Sequence, residues 1–135
     1  MATRCLIGCK DPNTGNIDYI YCHWDGYPQG EGGVGDTLKR FYTSKDMVKK
    51  LISLGDLSSL RPRLAPDLGE EHTFENFLSD VCIFYHRDRK EPYEETVHRT
   101  NVGFELDPPL GPEYLYLFEN GKWKYCEKKH DWKEL

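Results

Sequence analysis

Two runs near the start of the chain carry the apolar pattern of β-strands. Arg4-Cys5-Leu6-Ile7-Gly8-Cys9 is short and apolar, suited to a buried strand. Ile17 to Trp24 is rich in β-formers and divides into two faces. Ile17, Tyr19, Tyr21 and His23 share one face; Asp18, Ile20, Cys22 and Trp24 share the other. Between the runs, Asp11-Pro12-Asn13-Thr14-Gly15-Asn16 is a dense turn signal, so together they predict a β-hairpin. The period then changes. Asp25 to Gly35 is a glycine-rich loop, after which Leu38, Phe41 and Tyr42 fall at helical spacing, with Asp36 or Thr37 as the expected cap. A second helix is expected after Ser44. Asp46 lies in its first turn, Met47, Val48, Leu51 and Ile52 form its apolar face, and Gly55 ends it.

Further along, Asp56 to Leu60 reads as a short turn or a single helical turn. The prolines of Arg61-Pro62-Arg63-Leu64-Ala65-Pro66 exclude a regular helix, and Phe74 and Phe77 are expected to pin the following loop to the core. Asp80 to Arg87 alternates as a strand. Asp88 to Glu95 is charged and exposed, Thr96 to Thr100 suits a short edge strand, and Asp107 to Pro112 is a loop. Tyr114 to Phe118 and Lys122 to Cys126 flank Glu119-Asn120-Gly121, the strongest short hairpin signal in the chain. Trp132 is expected to tuck back onto the body. The sum is a single domain over residues 1–135 of the α+β class. Its sheet is mainly antiparallel with about four to six strands, and two helices are inserted after the first hairpin.

Composition narrows the classes of function. Hydrophobic residues at 38% and charged residues at 30% describe a packed domain rather than a disordered chain. A net charge of -5 argues against general binding to nucleic-acid backbones, which requires a basic surface. The five cysteines form no zinc-type pairing, and the five histidines share no short ligand spacing, so neither a metal nor a cofactor is expected. The opening Met-Ala-Thr-Arg-Cys-Leu-Ile-Gly lacks the long apolar region of a secretion signal, and no apolar run reaches membrane length. A cytoplasmic protein with reduced thiols and no membrane partner is the expectation.

At Cys22-His23-Trp24-Asp25-Gly26-Tyr27-Pro28 the chain resembles a widespread family of small, uncharacterised proteins encoded by phages and mobile elements. The resemblance extends over Thr3 to Gly8, Gly33-Val34-Gly35, Thr37-Leu38, Leu54 to Leu60, Tyr85-His86-Arg87-Asp88-Arg89 and Gly121-Lys122-Trp123, in matching order. The loop Gln29-Gly30-Glu31-Gly32-Gly33 is longer here than in the usual form. The resemblance implies a viral setting within a bacterial host, in which small acidic proteins often block host defences.

Residues 19 to 42 hold the densest set of contact groups. A strand, a glycine-rich loop and a helix N-terminus in that order suit an anion, because loop amides and the unpaired first amides of a helix can approach a phosphate. No Gly-Lys-Ser/Thr follows, so the stretch is not a P-loop. The candidate ligand-binding residues are His23, Trp24, Asp25, Tyr27, Gly32, Gly33, Gly35, Thr37, Lys39 and Arg40, with Arg87 and Arg89 adding charge from elsewhere. Aromatic rings can stack on a base, so the favoured reading is a nucleotide-like signal molecule bound and sequestered. Two alternatives stay open. A hydrolase or phosphodiesterase would use His23 with a second histidine, His86 or His98, whereas Cys22 and His23 point to opposite faces and do not pair. An inhibitor of a host protein would use Tyr114, Tyr116, Trp123 and Tyr125, with self-association as a further possibility.

Overall fold

The first hairpin forms as the alternation predicts. In the computed structural model, which describes residues 3–92, 96, 98–100, 112–127 and 132–135, strands β1 (Cys5–Lys10) and β2 (Ile17–Cys22) pair antiparallel. Cys5 stands opposite Cys22 and Lys10 opposite Ile17. The turn between them is held by its own polar side chains. The Asp11 carboxylate accepts the Asn13 amide at 2.8 Å and the Thr14 hydroxyl accepts the Asn16 amide at 3.2 Å.

Helices α1 (Val34–Phe41) and α2 (Lys45–Ser53) follow. α2 begins as expected: Ser44 Oγ accepts the Met47 amide at 3.2 Å, and Gly55 closes the far end at φ 86°. Replacing this cap, Ser44→Ala, should cost about 1 kcal/mol in urea denaturation. An unchanged midpoint would mean the cap bond contributes nothing in solution.

α1 begins earlier than expected, and neither Asp36 nor Thr37 caps it. The N-cap is Gly33, in extended conformation and with no side-chain bond. Asp36 instead pairs with Arg40 one turn on, at 3.4 Å, and Thr37 Oγ1 donates back to the Gly33 carbonyl at 2.9 Å. The reason is that loop carbonyls cover the first amides of the helix, which removes the need for a polar side chain there.

The sheet is larger than expected and mixed. Strands β3 (Leu57–Ser59), β4 (Ile83–Phe84), β5 (His98–Thr100), β6 (Tyr114–Glu119), β7 (Lys122–Glu127) and β8 (Lys133–Glu134) bring it to eight strands among the described residues. Their order is β4-β3-β2-β1-β6-β7-β8, and β5 pairs with the start of β2. Two pairings are parallel, β1 with β6 and β2 with β3. Residues 57–59 are therefore a strand and not a turn. The His23 and Trp24 amides prolong this contact, donating to the Leu57 and Ser58 carbonyls at 3.2 and 3.0 Å. The strand expected over 80–87 shortens to β4 because Asp88 ends it, its carboxylate taking the Phe84 amide at 2.8 Å. The last hairpin turns at Asn120 and Gly121, both at positive φ, with Glu119 opposite Lys122. The loop expected over 107–111 and the end of the charged stretch, 93–95, lie outside the described residues.

Each face of the sheet carries a core. On the helical face, Ile7, Ile20 and Cys22 pack with Val34, Leu38 and Leu51. On the opposite face, Leu6, Ile17, Tyr19, Leu115, Leu117 and Cys126 cluster, with Trp132 against them as expected. Tyr116 and Trp123, candidates for an exposed aromatic interface, belong to the interior. Tyr116 Oη donates to the Gly26 carbonyl and Trp123 Nε1 to the Tyr42 carbonyl, both at 2.7 Å. Tyr114 and Tyr125 are half-buried. No helix among the described residues is long and apolar enough to cross a membrane.

Candidate functional site

The glycine loop is packed against itself. The Val34 amide donates to the Asp25 carbonyl at 2.7 Å, Gly35 to Tyr27 at 3.2 Å and Gly33 to Gly30 at 3.1 Å. Each amide has one proton, so at the start of α1 these three donors are already engaged by the loop's own carbonyls. Tyr27 lies over Gly33: a Cβ built on that glycine would stand 2.6 Å from the ring. Gly26 is enclosed in the same way, with the Thr3 carbonyl 2.7 Å from where its Cβ would be. These glycines permit close packing, and the loop is sewn to the sheet by Tyr116. Gly32, by contrast, faces open space at φ 82°.

The side chains at the root of the loop are arranged around β2. His23 Nδ1 meets Tyr21 Oη at 2.7 Å, and Trp24, 45% exposed, stands edge-on to the His23 ring at 4.8 Å. Asp25, at φ 59°, has its carboxylate 3.8 Å from Arg61. Lys39 and Arg40 are exposed on α1, the latter over the Phe41 ring.

Arg87 is structural. It grips the Asp88 carboxylate at 2.9 Å, bonds the Cys82 carbonyl at 2.8 Å and lies over the Phe84 ring. Arg89 stacks on Phe74 and Tyr85 and lines a shallow groove of about 490 Å³ with Arg4, Tyr21 and Asp56. The His86 ring meets the Glu91 carbonyl at 2.7 Å, while His23 meets Tyr21, so the two rings are tied to different partners. Burial pushes the Tyr21 phenol up to about 12, which keeps it a neutral hydrogen-bonding group.

A larger cavity lies elsewhere. Between α2 and the end of the first hairpin is a cleft of about 730 Å³, within the size range of small-molecule sites. Its cations come from three elements: Lys10 on β1, Lys45 and Lys49 on α2, and Arg99 on β5. Asp11 and Asp18 supply the opposing charges. Arg99 is held by both oxygens of Asp18, at 3.1 Å for the Nη2 contact, and Lys10 reaches Glu119 at 3.8 Å. Lys45 and Lys49, one turn apart and exposed, have no carboxylate within ion-pair distance among the described residues. They are the charges available to a ligand. The half-buried Cys9 thiol also lines the cleft, but burial raises it above its ordinary value despite the pull of Lys49, so it is not an activated nucleophile.

His98, on β5, has its ring on the face of the sheet away from α2. Its ring stacks on Tyr19, centroids 5.2 Å apart and planes 23° from parallel, as the cross-strand pairing of those two residues dictates. Its Nε2 stands 3.1 and 3.0 Å from the two oxygens of Asp56, whose carboxylate also accepts the Tyr21 amide at 2.7 Å. The bond to Asp56 raises the His98 imidazole above its ordinary value, against the opposing effect of burial.

Of the cleft residues, Tyr19 alone belongs to the stretch 19–42 singled out from the sequence, and His98 is among the acid–base candidates. The visible signal was Lys45 and Lys49, four apart on a helix whose other side is apolar. Among the described residues there is no cluster of three or more His, Cys, Asp or Glu that could hold a metal ion. No family model, no curated protein and no solved structure matches the chain.

Proposed function

We propose that the protein binds an anionic, phosphate-bearing small molecule of the nucleotide class in the cleft between α2 and the first hairpin, and sequesters it intact. The observation that carries this reading is the pair Lys45 and Lys49, cations without carboxylate partners among the described residues, set in a cavity of about 730 Å³. Phosphate recognition needs cations. The cleft offers them, whereas the amides at the start of α1 are taken. Sequestration is preferred to turnover because His23 and His86 are tied to separate partners and Cys9 is not activated. The resemblance to phage proteins makes a nucleotide signal of host immunity the class to try first.

The test is calorimetric titration of the folded protein with ADP-ribose, a cyclic mononucleotide, a cyclic dinucleotide and ATP, with adenosine as the uncharged control. One or more of the phosphate-bearing compounds should bind, adenosine should not, and the bound compound should be recovered unaltered by chromatography after heating. Absence of heat with every compound would overturn the reading, and recovery of a cleaved product would replace it with that of an enzyme.

A further inference from the structure

Arg99 carries hydrogen-bond donors that the reading of the cleft leaves unused. A guanidinium has five N–H groups. Asp18 accepts from Nε and from Nη2, so three remain: both on Nη1 and the second on Nη2. Among the described residues, Asp18 is the only ion-pair partner of Arg99.

The register fixes where this side chain lies. Cys9 stands opposite Asp18, and Asp18 opposite Arg99, so all three share one face of the sheet. That face is the one α2 covers, because Cys9 packs against the core that holds Val48, Leu51 and Ile52. Lys45 and Lys49 lie four apart on α2 and line the cleft together with Arg99. The two sides come close at the cleft floor. Burial raises the Cys9 thiol, Lys49 and Lys45 pull it down, and Asp18 and Asp11 push it up, so one thiol feels both the helix and the hairpin.

We propose, resting on the reading of the cleft as an anion site, that its ligand carries a diphosphate: Lys45 and Lys49 hold one phosphoryl group and Arg99 holds the other. The short span across Cys9 suits two phosphoryl groups joined directly rather than two at opposite ends of a molecule. The roles divide by chemistry. Lysine is a flexible point charge, whereas a guanidinium is a planar fork that meets two phosphate oxygens at once. Because Asp18 balances its charge, Arg99 adds little long-range attraction. It adds oriented donors, and a fork already held on one edge has less rotamer freedom to lose when its other edge meets an anion. A single phosphate between the two lysines gains nothing from Arg99; a diphosphate does.

Pyrophosphate and orthophosphate are the probes. Each is titrated into the full chain at neutral pH, with the backbone amides of Cys9, Lys45 and Lys49 followed by NMR. The decisive variant is Asp18→Asn/Arg99→Gln. It replaces an ion pair by an amide pair and leaves the net charge unchanged, and the pair is exposed, so the fold should survive its loss. Relative to the native chain it should lose on the order of 10-fold in pyrophosphate affinity, the factor for charge-assisted hydrogen bonds removed. Orthophosphate affinity should stay within about threefold. Should the double variant not fold, Arg99→Lys, which keeps the charge and loses the fork, decides by the same two comparisons.

Pyrophosphate held by the variant within about threefold of native affinity, or both probes weakened by the same factor, overturns the diphosphate assignment while the cleft reading stands. No shift of those amides with either probe overturns both. Pyrophosphate bound with this selectivity, but no nucleotide bound, upholds the diphosphate and removes only the nucleoside.

Discussion

Reversing both charges in Lys45→Glu/Lys49→Glu should abolish ligand binding, weakening it on the order of 100-fold, while leaving the protein folded. Two unit charges about 6 Å apart interact by about 1.4 kcal/mol at an effective dielectric near 40. Turning attraction into repulsion at two positions approaches about 5 kcal/mol before salt screening, so a net loss of about 3 kcal/mol is a restrained expectation. Stability should move by less than about 1 kcal/mol, because both side chains are exposed and neither has a carboxylate partner among the described residues. Lys45 is the first residue of α2, where a carboxylate suits the helix dipole, partly offsetting its closer approach to Asp11. The measurement is titration with whichever phosphate-bearing compound binds the native chain, beside urea denaturation of both proteins. An affinity unchanged within about threefold would remove the cleft from consideration, a threefold change being about 0.6 kcal/mol. Raising salt should weaken the native complex and have little effect on the variant.

What the sequence made legible is what depends on near neighbours. Ser44 three residues before the Met47 amide, Gly55 after the last turn of α2, and Asn120-Gly121 between alternating runs each specify their structure within a few residues. The alternation of β2 likewise assigned Ile20 and Cys22 to one core and Ile17 and Tyr19 to the other. The parallel pairing of β1 with β6 was not legible, since it joins segments more than a hundred residues apart with no local signature. The same holds for the cleft. Its wall depends on Asp18 meeting Arg99, 81 residues away. The glycine loop reads two ways for a physical reason. Glycine serves close approach to a ligand and close approach to the chain itself equally well, and the choice shows only when the neighbouring atoms are in place. At Gly26, Gly33 and Gly35 those neighbours are the protein's own backbone or the Tyr27 ring.

Gly35→Ala should destabilise the protein by about 3 kcal/mol, the upper range for an added methyl group in a packed site. A Cβ on Gly35 would stand 2.3 Å from the Pro28 carbonyl oxygen and 2.5 Å from Pro28 Cα. Both are backbone atoms of a loop whose carbonyls at Asp25 and Tyr27 bind the first amides of α1, so neither can give way without loosening those bonds. Gly32→Ala is the control. Its methyl group meets nothing within 4 Å, and only the left-handed backbone at φ 82° resists it, at about 1 kcal/mol. Urea denaturation compares the two, and equal losses would mean that the loop does not clamp the start of α1. The same pair separates the two places where a ligand can be sought. No residue from 20 to 44 lines the cleft, so Gly32→Ala, and Gly35→Ala under conditions where it remains folded, should bind the phosphate-bearing compound with native affinity. If affinity falls by an order of magnitude in folded Gly32→Ala, the glycine loop and not the cleft holds the ligand. Recognition would then return to Trp24 and Tyr27, and the bonds that now occupy the first amides of α1 would have to open on binding.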